Sequence, residues 1–322
     1  MILDAHSDLL WDVTRRRLRG ERRVLERCHL EALRRGGVEG LVLAVWTGGG
    51  FWRDTPWDGP DRDGERTERM LACAREELAE CPSVRPVRTA AEAEQARREG
   101  AVYAFLAVEG MASLRGDPAG VDLWADRGAR LGMLTWNEQN DFAAGAGAQT
   151  GGGLTAAGRE AVRRMEARRM LPDVSHLNDR SFWDLLDLAR GPVVASHSNC
   201  RALCPAARNL TDEQLRAIRD TGGVVGLNAY SGFVSAEPES RTVRTLALHA
   251  VHMAEVMGVE HVGCGFDFCG YMGPGEEGAA GLEDASRAGA LLRALEELGM
   301  NAREREGIAR GNFLRVFRRA FG

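Results

Sequence analysis

Eight short apolar runs, separated by amphipathic stretches, set the strongest limit on what this chain can fold into. They are ILDAH from Ile2, GLVLAVW from Gly40, AVYAFLAVEG from Ala101, LGMLTWN from Leu131, MLPDVSH from Met170, PVVASHS from Pro192, GVVGLNAY from Gly223 and HVGCGFD from His261. Near-continuous apolar runs of this length suit parallel strands covered on both faces. The segments between them carry helical periods. ERMLACAREELAE and LTAAGREAVRRMEARR are amphipathic, LNDRSFWDLLDLAR and LTDEQLRAIRDTGG open at polar capping residues, and RTVRTLALHAVHMAEVMG continues the pattern. Strand and helix alternating eight times predict an α/β fold of the (β/α)8 TIM-barrel type. We expect a single barrel domain over residues 1–322, with loop insertions near 48–64 and 141–153. A doubly wound open sheet is the alternative arrangement of the same elements.

Composition removes several functions. The chain has no lysine, so all 42 Lys-or-Arg positions are Arg. That excludes a Schiff-base enzyme, a P-loop and a metal site bridged by a carboxylated lysine. The glycine-rich AAGAGAQTGGG after Asp141 lacks G-K-[ST] and is expected to be a flexible loop. A net charge of −5 gives no reason to expect nucleic acid or an anionic membrane as partner. The Arg-rich TRRRLRGERR, interleaved with Glu and Leu, is expected on solvated helix faces. Seven cysteines without a C-x-x-C pair are expected as reduced, mostly buried thiols. With no leader-like segment before Ile2 and no membrane-length apolar run, the expected location is cytoplasmic.

A barrel presents its chemistry at the C-terminal ends of its strands. Here those ends carry His6 and Asp8, Glu109, Asn137, His176, His197, Asn228 and Tyr230, and Asp267. Any one of them alone is better explained as a turn or capping residue. Three imidazoles and three carboxylates at equivalent places are not. His6 and Asp8, two apart on a strand, point to one side. With Glu109, His176 and His197 they form a donor set suited to Zn²⁺ and similar divalent ions. Without a lysine, Glu109 is the natural bridge between two metals sharing a hydroxide. His29, His249, His252 and His261 are expected to be surface or packing residues.

The segments DAHSDL, AVEG, LTWNEQN, GLTAAGREAVRRM, MLPDVSHLNDRSFWDLL, PVVASHSNCRALCPAARNLTDEQLRAI, GGVVGLNAY and HVGCGFDFCG resemble the membrane (renal) dipeptidase family, in its bacterial cytoplasmic branch, over the whole barrel. The resemblance implies a zinc-dependent dipeptidase acting through a metal-bridging hydroxide on dipeptides whose C-terminal residue is L or D. It implies two zinc ions per chain, one held by His6 and Asp8, the other by His176 and His197, with Glu109 and a hydroxide between them. Arg201 matches the residue that pairs with the substrate carboxylate, and Asp267 the acid that meets its amine and moves the proton. Trp136, Asn137 and Tyr230 are expected as further substrate contacts, and a homodimer is compatible with the family. The chain departs from the family at Trp136, where members carry a His, and at Cys269, where they carry an acid. Those departures leave two alternatives: a binuclear-metal hydrolase of another small amide or lactone, or a catalytically retired barrel.

Overall fold

Each of the eight apolar runs forms a strand, and a ninth, at Val84–Pro86, joins them. The computed structural model of the chain describes residues 1–48 and 50–322; Gly49, inside the insertion expected near 48–64, lies outside the described residues. The strands are β1 Ile2–Ser7, β2 Val38–Val45, β3 Val84–Pro86, β4 Val102–Glu109, β5 Ala129–Met133, β6 Leu171–Pro172, β7 Val194–Ala195, β8 Val224–Leu227 and β9 Val262–Cys264. All pair in parallel, in the order β6-β5-β4-β2-β1-β9-β8-β7. A parallel bridge from Asp173 to Val194 closes the ring between β6 and β7. The open doubly wound sheet is thereby set aside. The unexpected β3 shares one edge of β4 with β5, pairing with Val102–Ala104 while β5 takes Leu106–Glu109.

Inside the barrel, Leu3, Ala5, Val42, Tyr103, Phe105, Ala107, Leu131, Leu171, Val194 and Val224 form one buried cluster. The helix Asn312–Phe321 adds Phe313, Phe317 and Phe321 to it, against the N-terminal halves of the strands. The Phe105 and Phe317 rings lie 4.9 Å apart. That end of the barrel is therefore packed with hydrocarbon, and the opposite mouth is left for polar groups. The expected helices form and are capped as their sequences suggest. Thr155, Asn178, Thr211 and Thr242 each accept a backbone N–H at a helix start, Thr211 in a capping box with Gln214. Among the described residues, no helix is long and apolar enough to cross a membrane.

Two expectations are corrected. Arg17, in the stretch assigned to solvated faces, is buried, donating to Glu77 at 2.7 Å and to Glu80 at 2.8 Å. The glycine-rich loop is not free. Gly145 N–H donates to Glu138 O, Ala146 N–H to His176 O and Gly147 N–H to Asn137 O, at 2.8–2.9 Å. A Cβ at Gly145 would collide with the Trp136 carbonyl, so glycine is required there for close packing.

His249 is a packing residue with both ring nitrogens used. Its Nδ1 accepts the Cys200 N–H at 3.1 Å and its Nε2–H donates to Val234 O at 2.9 Å, which demands the neutral ring. Burial pushes it down to about 4. A histidine lowered on folding binds its proton more tightly when unfolded, so stability falls as pH drops from about 6.5 to 4. The loss expected from this residue is about 3 kcal/mol. Chemical denaturation at pH 7 and pH 4.5 should show it, and His249→Gln should be less stable at neutral pH but lack this part of the acid dependence.

Candidate metal centre

Strict alternation along β1 would turn His6 away from Ala5, out of the barrel. The chain avoids this with a break in the β1–β2 register between Asp4 and Ser7. Leu3 and Ala5 face the interior cluster, while Asp4 and Ser7 line a cavity outside the barrel beside Asp12 and His29. Asp4 holds the irregular backbone: its Oδ1 accepts Phe266 N–H at 2.7 Å and His6 N–H at 3.4 Å. Burial raises the Asp4 carboxyl to about 7. His6 and Asp8 are left aimed at the mouth. Asp8 occupies the N-cap position of the helix Leu9–Arg17, yet its side chain makes no capping bond. Its carboxylate is free for another task.

Glu109, the last residue of β4, stands between the histidines. Its Oε2 lies 3.5 Å from His6 Nε2, and its Oε1 lies 2.7 Å from His176 Nε2 and 3.8 Å from His197 Nε2. His176 and His197 bring their Nε2 atoms to 2.9 Å of each other. His6 Nε2 is 3.7 Å from Asp8 Oδ2 and 3.8 Å from Asp267 Oδ1. Asp267 sits just past β9 at a φ of 58°, with its Oδ2 accepting from Asn228 Nδ2 at 3.1 Å.

Electrostatics describes a site short of positive charge. Burial raises the Glu109 and Asp267 carboxyls above their usual range, with Asp8 adding to both. Burial opposes protonation of His6, but Glu109 and Asp8 outweigh it and hold the ring well above its ordinary value. His176 and His197 are held well below theirs by burial, reinforced by Arg208 and His6, so both are neutral imidazoles. His6 Nε2, Asp8 Oδ1 and Glu109 Oε2 are buried and have no hydrogen-bond partner among the described residues. Orphaned imidazole and carboxylate atoms at this density are costly unless a cation takes their lone pairs. The donor set thus fits borderline divalent metals.

The histidines are oriented from behind. His176 Nδ1 is 3.0 Å from Asn137 Oδ1. His197 Nδ1 lies 2.7 Å from Ser196 Oγ, which is 3.2 Å from Ser175 Oγ, and Ser175 Oγ–H donates to Asp173 Oδ1 at 2.6 Å. This chain ends on a buried carboxylate and keeps the Nδ1 proton in place, leaving Nε2 facing the centre.

The residues expected to touch substrate are placed differently from one another. Asn137 is engaged with His176, and Trp136 lies exposed beside the same ring, 6.0 Å between centroids. Tyr230 packs its ring on Phe233 at 4.9 Å, and its N–H donates to Asn228 Oδ1 at 2.7 Å, the same Asn228 that donates to Asp267. Arg201 is turned outward into a two-bond pair with Asp179, both at 2.8 Å, and donates to Asn209 O and Ala207 O. The bridge between Cys200 and Leu210 folds the intervening loop back, so that Arg208 enters the site instead. Arg208 is buried, 3.3 Å from both His176 Nε2 and His197 O, with its Cζ 5.5 Å from the Phe233 ring. Among the described residues no carboxylate pairs with it, and its Nε has no partner. Both arginines lie in one motif; spacing alone does not tell which is turned inward.

A parallel barrel with imidazoles and carboxylates gathered at its strand ends defines the metal-dependent hydrolase class. Within that class, a sequence model described as Membrane dipeptidase (Peptidase family M19) matches residues 1–321. The chain belongs to this family of metallo-dipeptidases. It is 35% identical over 239 residues to an uncharacterized protein in the pqqA 5′ region of Klebsiella pneumoniae, covering 71% of this chain and 86% of that one. It is 35% identical over 221 residues to an uncharacterized dipeptidase of Schizosaccharomyces pombe, covering 67% of this chain and 53% of the yeast protein, about half its length. A crystal structure of a metallo peptidase from Rhodobacter sphaeroides, liganded with a phosphinate mimic of the dipeptide L-Ala-D-Ala, superposes with a TM-score of 0.87 at 26% identity, covering 99% of each chain.

Removing the Ser196 hydroxyl breaks the support behind His197 without touching a donor atom. Ser196→Ala is expected to weaken metal binding by about 10–100-fold, read by competition with a chromophoric chelator. Unchanged affinity would deprive the Asp173–Ser175–Ser196 chain of that role.

Proposed function

We propose that this chain is a binuclear zinc dipeptidase. The observation that carries the reading is a buried guanidinium, with no carboxylate partner among the described residues, on one side of the donor cluster and a buried carboxyl on the other. Arg208 stands at the His176 side and Asp267 at the His6 side. A zwitterion with its charges a dipeptide apart complements that pair.

On this reading His6 and Asp8 hold one ion, His176 and His197 the other, and Glu109 lies between. The opposed directions of its two oxygens, one toward His6 and one toward His176, support the bridging role. Zinc bound there would polarise the scissile carbonyl and make water a stronger nucleophile at neutral pH. Arg208 binds and orients the substrate carboxylate through its planar fork, the task first assigned to Arg201. Asp267 meets the free amine. Its Oδ2 accepts from Asn228 and its Oδ1 from the Cys269 thiol at 3.5 Å; Oδ1, 3.8 Å from His6 Nε2, faces the donor cluster and is the atom that takes up a proton and returns it to the departing amine. The carboxyl's raised proton affinity suits that exchange. One barrel domain over residues 1–322 carries the whole set.

Metal analysis of the purified protein should find close to two zinc ions per chain, with dipeptidase activity lost on chelation. Arg208→Met should raise KM for dipeptides by about 10–100-fold, whereas Arg201→Met should lower thermal stability and leave KM nearly unchanged. Equal effects at the two positions would sink the assignment. Asp267→Asn should reduce kcat by about 10²–10⁴-fold. A panel with N-acylated analogues separates this reading from a hydrolase of other amides, because Asp267 recognises the free amine only in dipeptides.

A further inference from the structure

Trp136 is an exposed indole at the mouth of a buried polar site, 37% accessible, with no hydrogen bond to its side chain among the described residues. Its backbone, by contrast, is held firmly. The Trp136 N–H donates to Glu138 Oε1 at 3.4 Å, Thr135 Oγ1–H donates to Glu138 O at 2.6 Å, and Gly145 packs on the Trp136 carbonyl. The ring leans on a second indole, Trp46, which directly follows β2, with centroids 5.4 Å apart and planes at 46°. Its other neighbour is His176, with planes at 36°. Two strand ends thus place two aromatic faces in one wall, beside the imidazole that Arg208 also approaches.

We propose that Trp46 and Trp136 form a side-chain subsite for the residue that carries the substrate's free carboxylate, selecting apolar and aromatic residues at that position. This rests on the dipeptidase reading and adds its substrate class. The location follows from sides: the aromatic wall and Arg208 both adjoin His176, whereas Asp267 adjoins His6 across the centre. The carboxy-terminal residue therefore meets the indoles, and the amino-terminal one does not. The chemistry follows from the surface, a π-rich face with no cation stacked on either indole among the described residues. Glu138, next to it, further disfavours an acidic side chain.

The test is a comparison of kcat/KM on the zinc-loaded enzyme for Ala–Phe, Ala–Leu, Ala–Ala and Ala–Asp, with the carboxy-terminal residue in both configurations, and for the reversed series Phe–Ala and Leu–Ala. We expect Ala–Phe to exceed Ala–Asp by about tenfold or more, mainly through KM. The reversed series should show no comparable gain over Ala–Ala. In Trp136→Ala the Ala–Phe to Ala–Ala ratio should collapse to within about twofold, and Trp136→Phe should retain most of it. Free phenylalanine should inhibit the wild type more strongly than free alanine, and lose that advantage in Trp136→Ala. An unchanged ratio in Trp136→Ala, or a preference lodged in the amino-terminal residue, overturns the subsite. Dipeptide turnover without discrimination overturns the subsite alone, whereas no turnover of any dipeptide overturns the dipeptidase reading and the subsite with it.

Discussion

The rest of the structure is arranged around one unfavourable act: the burial of ionisable groups at the closed mouth of a barrel. Glu109 and His6 are almost fully withdrawn from water, and each leaves an atom without a partner. In a medium of low polarity such atoms cost several kcal/mol each unless they are paired. A bound metal would resolve that cost, and the supports behind the histidines suit that role. The hydroxyl chain from Asp173 to His197 and the amide of Asn137 at His176 both fix which nitrogen faces inward. Catalytic potential here is stored as unsatisfied polarity.

Backbone irregularity is the means by which this polarity is assembled. A regular β1 could not direct both Ala5 and His6 inward. The break between Asp4 and Ser7 does so, and Asp4 secures it by accepting N–H groups from its own strand and from the segment after β9. On the far side of the ring, the glycine-rich loop donates backbone N–H groups to the carbonyls of Asn137, Glu138 and His176. Gly145 and Gly147 lie so close to the Trp136 and Asn137 backbone that a side chain at either would crowd it.

Much of this was legible in residue order. Apolar runs alternating with helical periods specify the eight barrel strands, because burial on both faces leaves a signature that turns and caps punctuate. The five positions proposed to hold metal stand at or just past strand ends, where a barrel collects its polar groups. What escaped was decided by short-range geometry. β3 is three residues long and contains Arg85 and Pro86, so no apolar run announces it. Arg201 and Arg208 share one motif, and it is the folded-back loop between Cys200 and Leu210 that carries the later one inward while Arg201 pairs with Asp179. Arg17 looked solvated because its partners, Glu76, Glu77 and Glu80, lie on a helix about sixty residues away. The flexible-loop expectation failed for the same reason: composition reports that a backbone is permitted to bend, not that a neighbour holds it.

The proposed reading also explains selectivity for short substrates without a steric gate. Among the described residues Arg208 has no carboxylate partner, and burial lowers it to about 10 against the opposing pull of Asp267, Glu109 and Asp173. The Asp267 carboxyl is in the converse position, raised by burial with His6 opposing. A ligand that brings a carboxylate to the first and an ammonium to the second satisfies both at once. A longer peptide can deliver only one of its termini while its bond lies over the donor cluster, so the other group stays buried and unpaired. The penalty for leaving such a group unmatched is comparable to a whole charged hydrogen bond, about 1.5–3 kcal/mol. Discrimination of this kind is built from the enzyme's own unpaired charges. It would persist even if the surrounding loops opened wide.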